Sequence, residues 1–164
     1  MIQKTTINNG KAILVAFFIA VISFTSSSFI NSQSLKPSLE DYVEFEVTEE
    51  VPLFKGCEKA NSRKEAVECF NKKMSSHIRN NFNYPEEALD NRIEGKVAIS
   101  FIINESGVIK DIVAKATNDK DYERKLLETE AIRIVSKLPK FTPGKHQGKV
   151  VNVKYSLPIT FKMM

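Results

Sequence analysis

Val151-Asn152-Val153-Lys154-Tyr155-Ser156-Leu157-Pro158-Ile159-Thr160-Phe161 is the most regular stretch of the chain. Its odd positions are all apolar, its even positions are polar or proline, and a period of two puts the two sets on opposite faces of a β-strand. One face is expected to be buried and the other wet, as in an antiparallel sheet covered on one side. Pro158 has no amide hydrogen, so the strand is expected to have a side without a ladder partner.

Two further strands lie upstream. Residues 95–104 (GKVAISFIIN) set Val97, Ile99, Phe101 and Ile103 on one face. Asn104-Glu105-Ser106-Gly107 reads as a hairpin turn, with Gly107 free to take positive φ, and residues 108–116 (VIKDIVAKA) return antiparallel. Charged residues 119–124 open a helix with Leu127, Ala131, Ile134, Val135 and Leu138 on its buried stripe, stopped by Pro139. Ahead of the hairpin, Ser62 and Glu65 form a capping-box signature, and Val67, Phe70, Met74 and Ile78 recur at helical spacing. That helix is expected to end near Asn80-Asn81, because Tyr84 before Pro85 takes extended backbone; Pro85 then opens a short helix over 85–91. The pattern predicts an α+β fold, a small two-layer domain whose three-stranded antiparallel sheet carries helices on one face.

Composition narrows the functional classes. The formal charge is +4, but setting aside Lys4 and Lys11 leaves 22 basic against 20 acidic residues, scattered and interleaved. A nucleic-acid footprint needs a concentrated basic stripe, so that partner is not expected. There is no GxSxG or HExxH, and adjacent Glu86-Glu87 point in different directions on a helix, so no catalytic residues are assigned. Gly144-Lys145-His146-Gln147-Gly148-Lys149 lacks phosphate-loop spacing and precedes a strand; it reads as a turn. His77 lies beside the apolar stripe of the first helix and reads as a surface or hydrogen-bonded histidine.

The N-terminus indicates export. Lys4 and Lys11 precede an uncharged core at residues 12–24 (AILVAFFIAVISF), followed by small and polar residues. This is the layout of a secretory signal peptide, with Ser28 or Ser32 before the cleavage. Residues 12–30 also make a 19-residue apolar run, long enough for an uncleaved membrane anchor with its basic end inside. The domain plan is a leader or hydrophobic anchor helix at 1–31, a linker at 32–50 and the folded domain at 51–164. Six acidic and no basic residues occupy 38–50, where the alternation of residues 42–47 also allows a short edge strand. In an oxidising compartment Cys57 and Cys69 are expected to form a disulfide. Metal binding, the alternative, would need further ligands; His77 and His146 lie far apart without ligand spacing. No cofactor is expected.

A set of ordered motifs then resembles the C-terminal domain family of TonB energy-transducing proteins. They are Tyr84-Pro85 with Ala88, Glu94-Gly95-Lys96-Val97, Gly107-Val108-Ile109-Lys110-Asp111, Leu138-Pro139-Lys140-Phe141-Thr142-Pro143-Gly144-Lys145, Gly148-Lys149-Val150 and Tyr155-Ser156-Leu157-Pro158-Ile159-Thr160-Phe161-Lys162. Val51-Pro52-Leu53-Phe54-Lys55-Gly56-Cys57, with a second cysteine in the following helix, is similar to the lead-in of Bacteroidetes-type members. The resemblance implies a periplasmic domain that binds outer-membrane TonB-dependent transporters, whose TonB box adds as a strand to the domain's last strand. By position it assigns partner binding to Val151, Asn152, Val153, Lys154 and Tyr155, with Asn83, Tyr84 and Pro85 beside them. Tyr84-Pro85 also reads simply as a helix stop with Tyr84 packed on the core. The resemblance further implies motor partners of the ExbB/ExbD type, acting through a helix held in the cytoplasmic membrane; a leader cleaved after export would leave a soluble periplasmic module instead. An open strand edge also fits a strand-paired or swapped homodimer.

Two features depart from the family's transducers. Residues 32–50 contain one proline, Pro37, and reach roughly 65 Å when fully extended. The hydrophobic segment has no histidine, where the family's membrane helix usually presents a serine and a histidine to its motor. Intact-mass measurement on envelope fractions tests export and the bridge together. The expected species is extracytoplasmic and lacks the two thiol hydrogens of Cys57 and Cys69; a cytoplasmic, fully reduced chain would defeat both.

Overall fold

In a computed structural model, which describes residues 41–163, the capping residues start the first helix where the sequence puts it. Ser62 Oγ accepts from the Glu65 amide at 3.2 Å, and Glu65 Oε2 accepts from the Asn61 amide at 2.8 Å. Helix α1 (Arg63–Asn81) buries Phe70 and Met74, and the short α2 (Glu86–Asp90) follows Pro85. Helix α3 (Asp121–Ser136) buries Leu127, Ala131, Ile134 and Val135 along its stripe. Both long helices cover one sheet face, through Val97, Ile99, Phe101 and Ile103 and through Val153, Ile159 and Phe161. His77 Nε2 lies 2.9 Å from the Ile134 carbonyl oxygen, so this histidine bonds across the two helices.

The sheet differs from the expected one. Strands β1 (Tyr42–Glu44), β2 (Gly95–Ile103), β3 (Ile109–Ala116) and β6 (Asn152–Phe161) form a four-stranded mixed sheet in the order β1-β6-β2-β3, not a three-stranded antiparallel one. β2 is antiparallel to β3 and β6, whereas β1 runs parallel to β6, with Tyr42 opposite Asn152, Val43 opposite Val153 and Glu44 opposite Lys154. Three residues carry too little period to specify a pairing. What seats β1 is the residue after it, Phe45, which is buried against Phe70 and Tyr155. Residues 41–50 accordingly fold with the rest of the domain. The expected N-terminal hydrophobic helix lies outside the described residues.

Two strands not foreseen as such, β4 (Lys145–His146) and β5 (Lys149–Val150), make a small hairpin. Its two-residue turn has Gln147 at φ 50° and Gly148 at φ 72°, the twist that suits a tight hairpin. The β2–β3 ladder holds a bulge: Ser100 pairs with Val113 but Ile102 with Lys110, leaving Asp111 and Ile112 opposite Phe101. Asp111 takes φ 53°, and the inward-facing set of β3 becomes Ile109, Ile112, Ala114 and Ala116. At the hairpin tip Gly107 takes φ 78° and its carbonyl accepts from the Phe141 amide at 2.8 Å. A Cβ there would come 1.9 Å from the Phe141 carbonyl oxygen, so only glycine permits the approach.

Cys57 and Cys69 are joined by a disulfide with Cα atoms 5.9 Å apart, which ties the lead-in to α1. Among the described residues, no cluster of three or more His, Cys, Asp or Glu side chains is placed to hold a metal ion. Beside the bridge stands an aromatic cluster centred on the fully buried Phe70. Its ring lies 4.7 Å from Phe45, 5.0 Å from Tyr155, 5.2 Å from Phe54 and 5.8 Å from Phe141. Phe70→Ala is expected to cost about 3–5 kcal/mol in denaturant unfolding. A loss below about 1 kcal/mol would show that the cluster is not the centre of the core.

Candidate partner-binding edge

Backbone geometry divides β6 into inward and outward groups. The Lys154 carbonyl accepts from the Phe45 amide at 2.9 Å, so the backbone groups of Lys154 face β1. By the period of two, those of Asn152, Ser156, Pro158 and Thr160 also face outward, while odd positions pair with β2. The missing amide hydrogen of Pro158 therefore falls on the outer side, where it breaks no ladder. β1 covers this edge only from Asn152 to Lys154. Among the described residues, no strand lies beside the outer edge from Ser156 to Thr160.

Few contacts hold β1 itself. Lys154 Nζ donates to the Tyr42 hydroxyl and to Glu44 Oε1, each at 3.2 Å, and stands 4.8 Å over the Tyr42 ring. These bonds, to Tyr42 first and Glu44 second, raise the lysine pKa. Asn152 Nδ2 donates to the Asp41 carbonyl at 3.1 Å. No β1 side chain is fully buried. Each net backbone hydrogen bond is worth about 1 kcal/mol and an exposed ion pair about 0–1 kcal/mol. Ordering each residue costs about 1–2 kcal/mol, so β1 sits near balance. The hold tightens after it. Arg63 donates through Nε to the Thr48 carbonyl at 2.8 Å and through Nη2 to those of Glu46 at 2.6 Å and Phe45 at 3.2 Å.

Asn83, Tyr84 and Pro85 lie elsewhere. The Asn83 amide donates to Glu130 Oε1 at 2.8 Å; Glu130 is only 7% exposed and pairs with Arg133 at 2.6 Å. Arg133 Nη2 in turn donates to the Asn81 carbonyl, so the group caps the end of α1. The Tyr84 hydroxyl donates to the Ile93 carbonyl at 2.6 Å, and its ring meets Phe161 edge-on at 5.8 Å. These residues flank the last residue of β6, whereas Val151, Asn152, Val153, Lys154 and Tyr155 are at its start. The ends of the strand are roughly 30 Å apart, so the fold does not bring the two groups together. Tyr84 and its neighbours have a packing role whatever else they do. The edge residues missed in the sequence are Tyr42, Glu44 and Arg63; the alternation at 42–47 was the available signal. Glu130, a lone acid inside an apolar helix stripe, was the signal for the α1 cap.

The model of the Gram-negative bacterial TonB protein C-terminal family matches residues 80–163. The chain belongs to the TonB C-terminal family. This family's domain is a protein-interaction module of the periplasmic envelope, not a catalyst. Among solved structures the chain is similar to the NMR solution structure of Helicobacter pylori TonB-CTD residues 179–285. Identity is 24%, coverage is 66% of this chain and 89% of that one, and the TM-score is 0.44. A second Helicobacter pylori TonB-CTD structure, of residues 194–285, is 26% identical and covers 57% and 92% of the two chains, with a TM-score of 0.39. No curated protein matches the chain. Among the described residues of this TonB C-terminal domain, no helix is long and apolar enough to cross a membrane.

Burial raises the Tyr84 hydroxyl pKa, with Glu94 adding to it, and burial then Glu46 raise that of Tyr155. The unfolded chain ionises its tyrosines near pH 10 while the folded TonB domain resists. The contribution is thus complete below about pH 10 and is lost as pH rises through the higher folded values. Tyr84→Phe is expected to lower stability by about 1 kcal/mol at neutral pH and to make the alkaline loss shallower. Unfolding curves from pH 8 to 11 measure both; an unchanged alkaline slope would contradict the assignment.

Proposed function

We propose that this chain is a TonB-like periplasmic protein that binds outer-membrane TonB-dependent transporters by β-strand addition and takes part in energised transmembrane transport. The observation that carries the reading is the outer edge of β6, which offers outward backbone groups with only a three-residue neighbour on them. An exposed strand edge is a template for an extended peptide: main-chain bonds supply affinity and alternate side chains supply specificity. The docking stretch is Val151, Asn152, Val153, Lys154 and Tyr155, running on toward the open part of the edge. Asn83, Tyr84 and Pro85 meet the partner at the far end. In the energised form residues 1–31 stay in the cytoplasmic membrane and engage ExbB/ExbD-type motor proteins.

One observation favours a second reading, an exported interaction domain without energy coupling. The folded part reaches back at least to Asp41, which leaves residues 32–40 between leader and domain. Even fully extended, nine residues span no more than about 32 Å. A domain so tethered stays near the cytoplasmic membrane and depends on its partner to reach it.

Titrating labelled protein with the TonB-box peptide of a transporter from the same host tests the binding step. The largest amide shifts are expected at Asn152, Lys154 and Ser156. Lys154→Pro, which removes an outward amide hydrogen, is expected to weaken binding at least about tenfold. Shifts confined to the helices, or undiminished binding by Lys154→Pro, would rule out strand addition here.

A further inference from the structure

We infer that β1 is an internal stand-in for the partner strand, and that the natural partner presents an extended segment with an aromatic residue opposite Asn152 and a carboxylate opposite Lys154, parallel to β6. The inference rests on the strand-addition function and names the chemistry of the segment that binds.

The edge itself states what it recognises. Its later outward positions, Ser156, Pro158 and Thr160, are uncharged and exposed. Selectivity is therefore concentrated at Asn152 and Lys154. Lys154 is half-buried and has three of its contacts in β1: the Glu44 carboxylate, the Tyr42 hydroxyl and the face of the Tyr42 ring. A strand that displaced β1 without a carboxylate at that register would leave the ammonium without its ion pair. One without an aromatic ring would remove the cation–π contact as well. The parallel pairing of Tyr42 with Asn152 and Glu44 with Lys154 thus reads as a template for the incoming segment.

β1 is also built to leave. It is three residues long with no fully buried side chain, whereas from Phe45 onward the chain is pinned by a buried ring and by Arg63 on the Phe45, Glu46 and Thr48 carbonyls. Opening of β1 therefore stops at Phe45. The aromatic cluster stays shut, and the edge from Asn152 to the Lys154 amide is exposed without loss of the core, while the Lys154 carbonyl keeps its bond from the Phe45 amide.

The test uses the full chain and its Val43→Pro variant, in which an amide hydrogen facing β6 is removed and Phe45 is left in place. The probes are a synthetic peptide with the sequence of residues 38–47, the same peptide with Glu44→Lys, and the TonB-box peptide of a host transporter. The 38–47 peptide is expected to bind Val43→Pro at least about tenfold more tightly than wild type, with amide shifts at Asn152 and Lys154. Charge reversal is expected to remove that gain. In wild-type protein, the Val43 amide is expected to exchange with deuterium at least about tenfold faster than the β6 amides paired with β2. This measurement does not depend on how well the variant folds. Equal protection of Val43 and the β2–β6 ladder overturns the inference, as does failure of the 38–47 peptide to bind Val43→Pro or indifference to its charge. If the TonB-box peptide still binds at β6 in those cases, strand addition stands and only the stand-in role fails. If that peptide also leaves β6 untouched, both fail.

Discussion

Phe70 is the point on which the domain's separate pieces converge. One fully buried ring on α1 touches Phe45 and Phe54 from the lead-in, Phe141 from the loop after α3, and Tyr155 from the last strand. These residues are spread over most of the domain's length, and no local hydrogen bond would bring them together. Burying aromatic surface from several directions does. The consequences follow outward. Phe45 carries β1 onto the sheet, and Phe54 lies at the start of the loop that the Cys57–Cys69 bridge fastens to α1. Phe141 brings its backbone to the hairpin tip at Gly107, and Tyr155 fixes the start of β6 beneath α1, where its hydroxyl donates to Asn71 Oδ1 at 3.2 Å.

The two edges of the sheet are treated differently, and that difference supports the functional reading. At β3 the edge is blunted: a bulge at Asp111 disturbs the ladder, charged side chains flank it, and the Ala116 amide is taken by Glu128 of α3 at 2.8 Å. At β6 the protection is slight. Pro158 removes a single donor, and β1 covers three residues through a pairing whose bonds roughly offset the cost of ordering it. A domain that only had to avoid edge-to-edge aggregation would be expected to close both edges alike. Among the described residues, this one leaves β6 without a neighbouring strand from Ser156 to Thr160 and covers its start with a short acidic segment of its own chain.

Much of the framework was legible because it rests on local patterns. The Ser62–Glu65 cap, the stop before Pro85, the alternation of residues 151–161 and the Asn104–Gly107 turn each depend on residues a few positions apart. Propensity and period act over that range. The elements that escaped are set at long range. The bulge at Asp111 exists because β3 must return its apolar residues to the inner face opposite Phe101. β1 exists because Phe45 finds Phe70, and its partner Asn152 is 110 positions away from Tyr42. The candidate site was legible in the same proportion. Val151, Asn152, Val153, Lys154 and Tyr155 were assigned by one strand's pattern and the family resemblance, whereas β1 over part of that edge and the distance to Asn83, Tyr84 and Pro85 left no such trace.

By itself, then, the sequence determined the helices and the three long strands, the buried faces of β2, β6 and the two long helices, that Cys57 and Cys69 are the available pair, and which family the motifs resemble. These follow from hydrophobic period, backbone chemistry and composition, which neighbouring residues carry. Only the tertiary structure decided that the sheet has a fourth strand, that it runs parallel, and that Lys154 is held by Tyr42 and Glu44. It also decided that Tyr84 serves the far end of β6 through Ile93 and Phe161. These depend on where distant surfaces meet once the core has closed, and three-residue contacts of that kind leave almost no periodic trace in the chain.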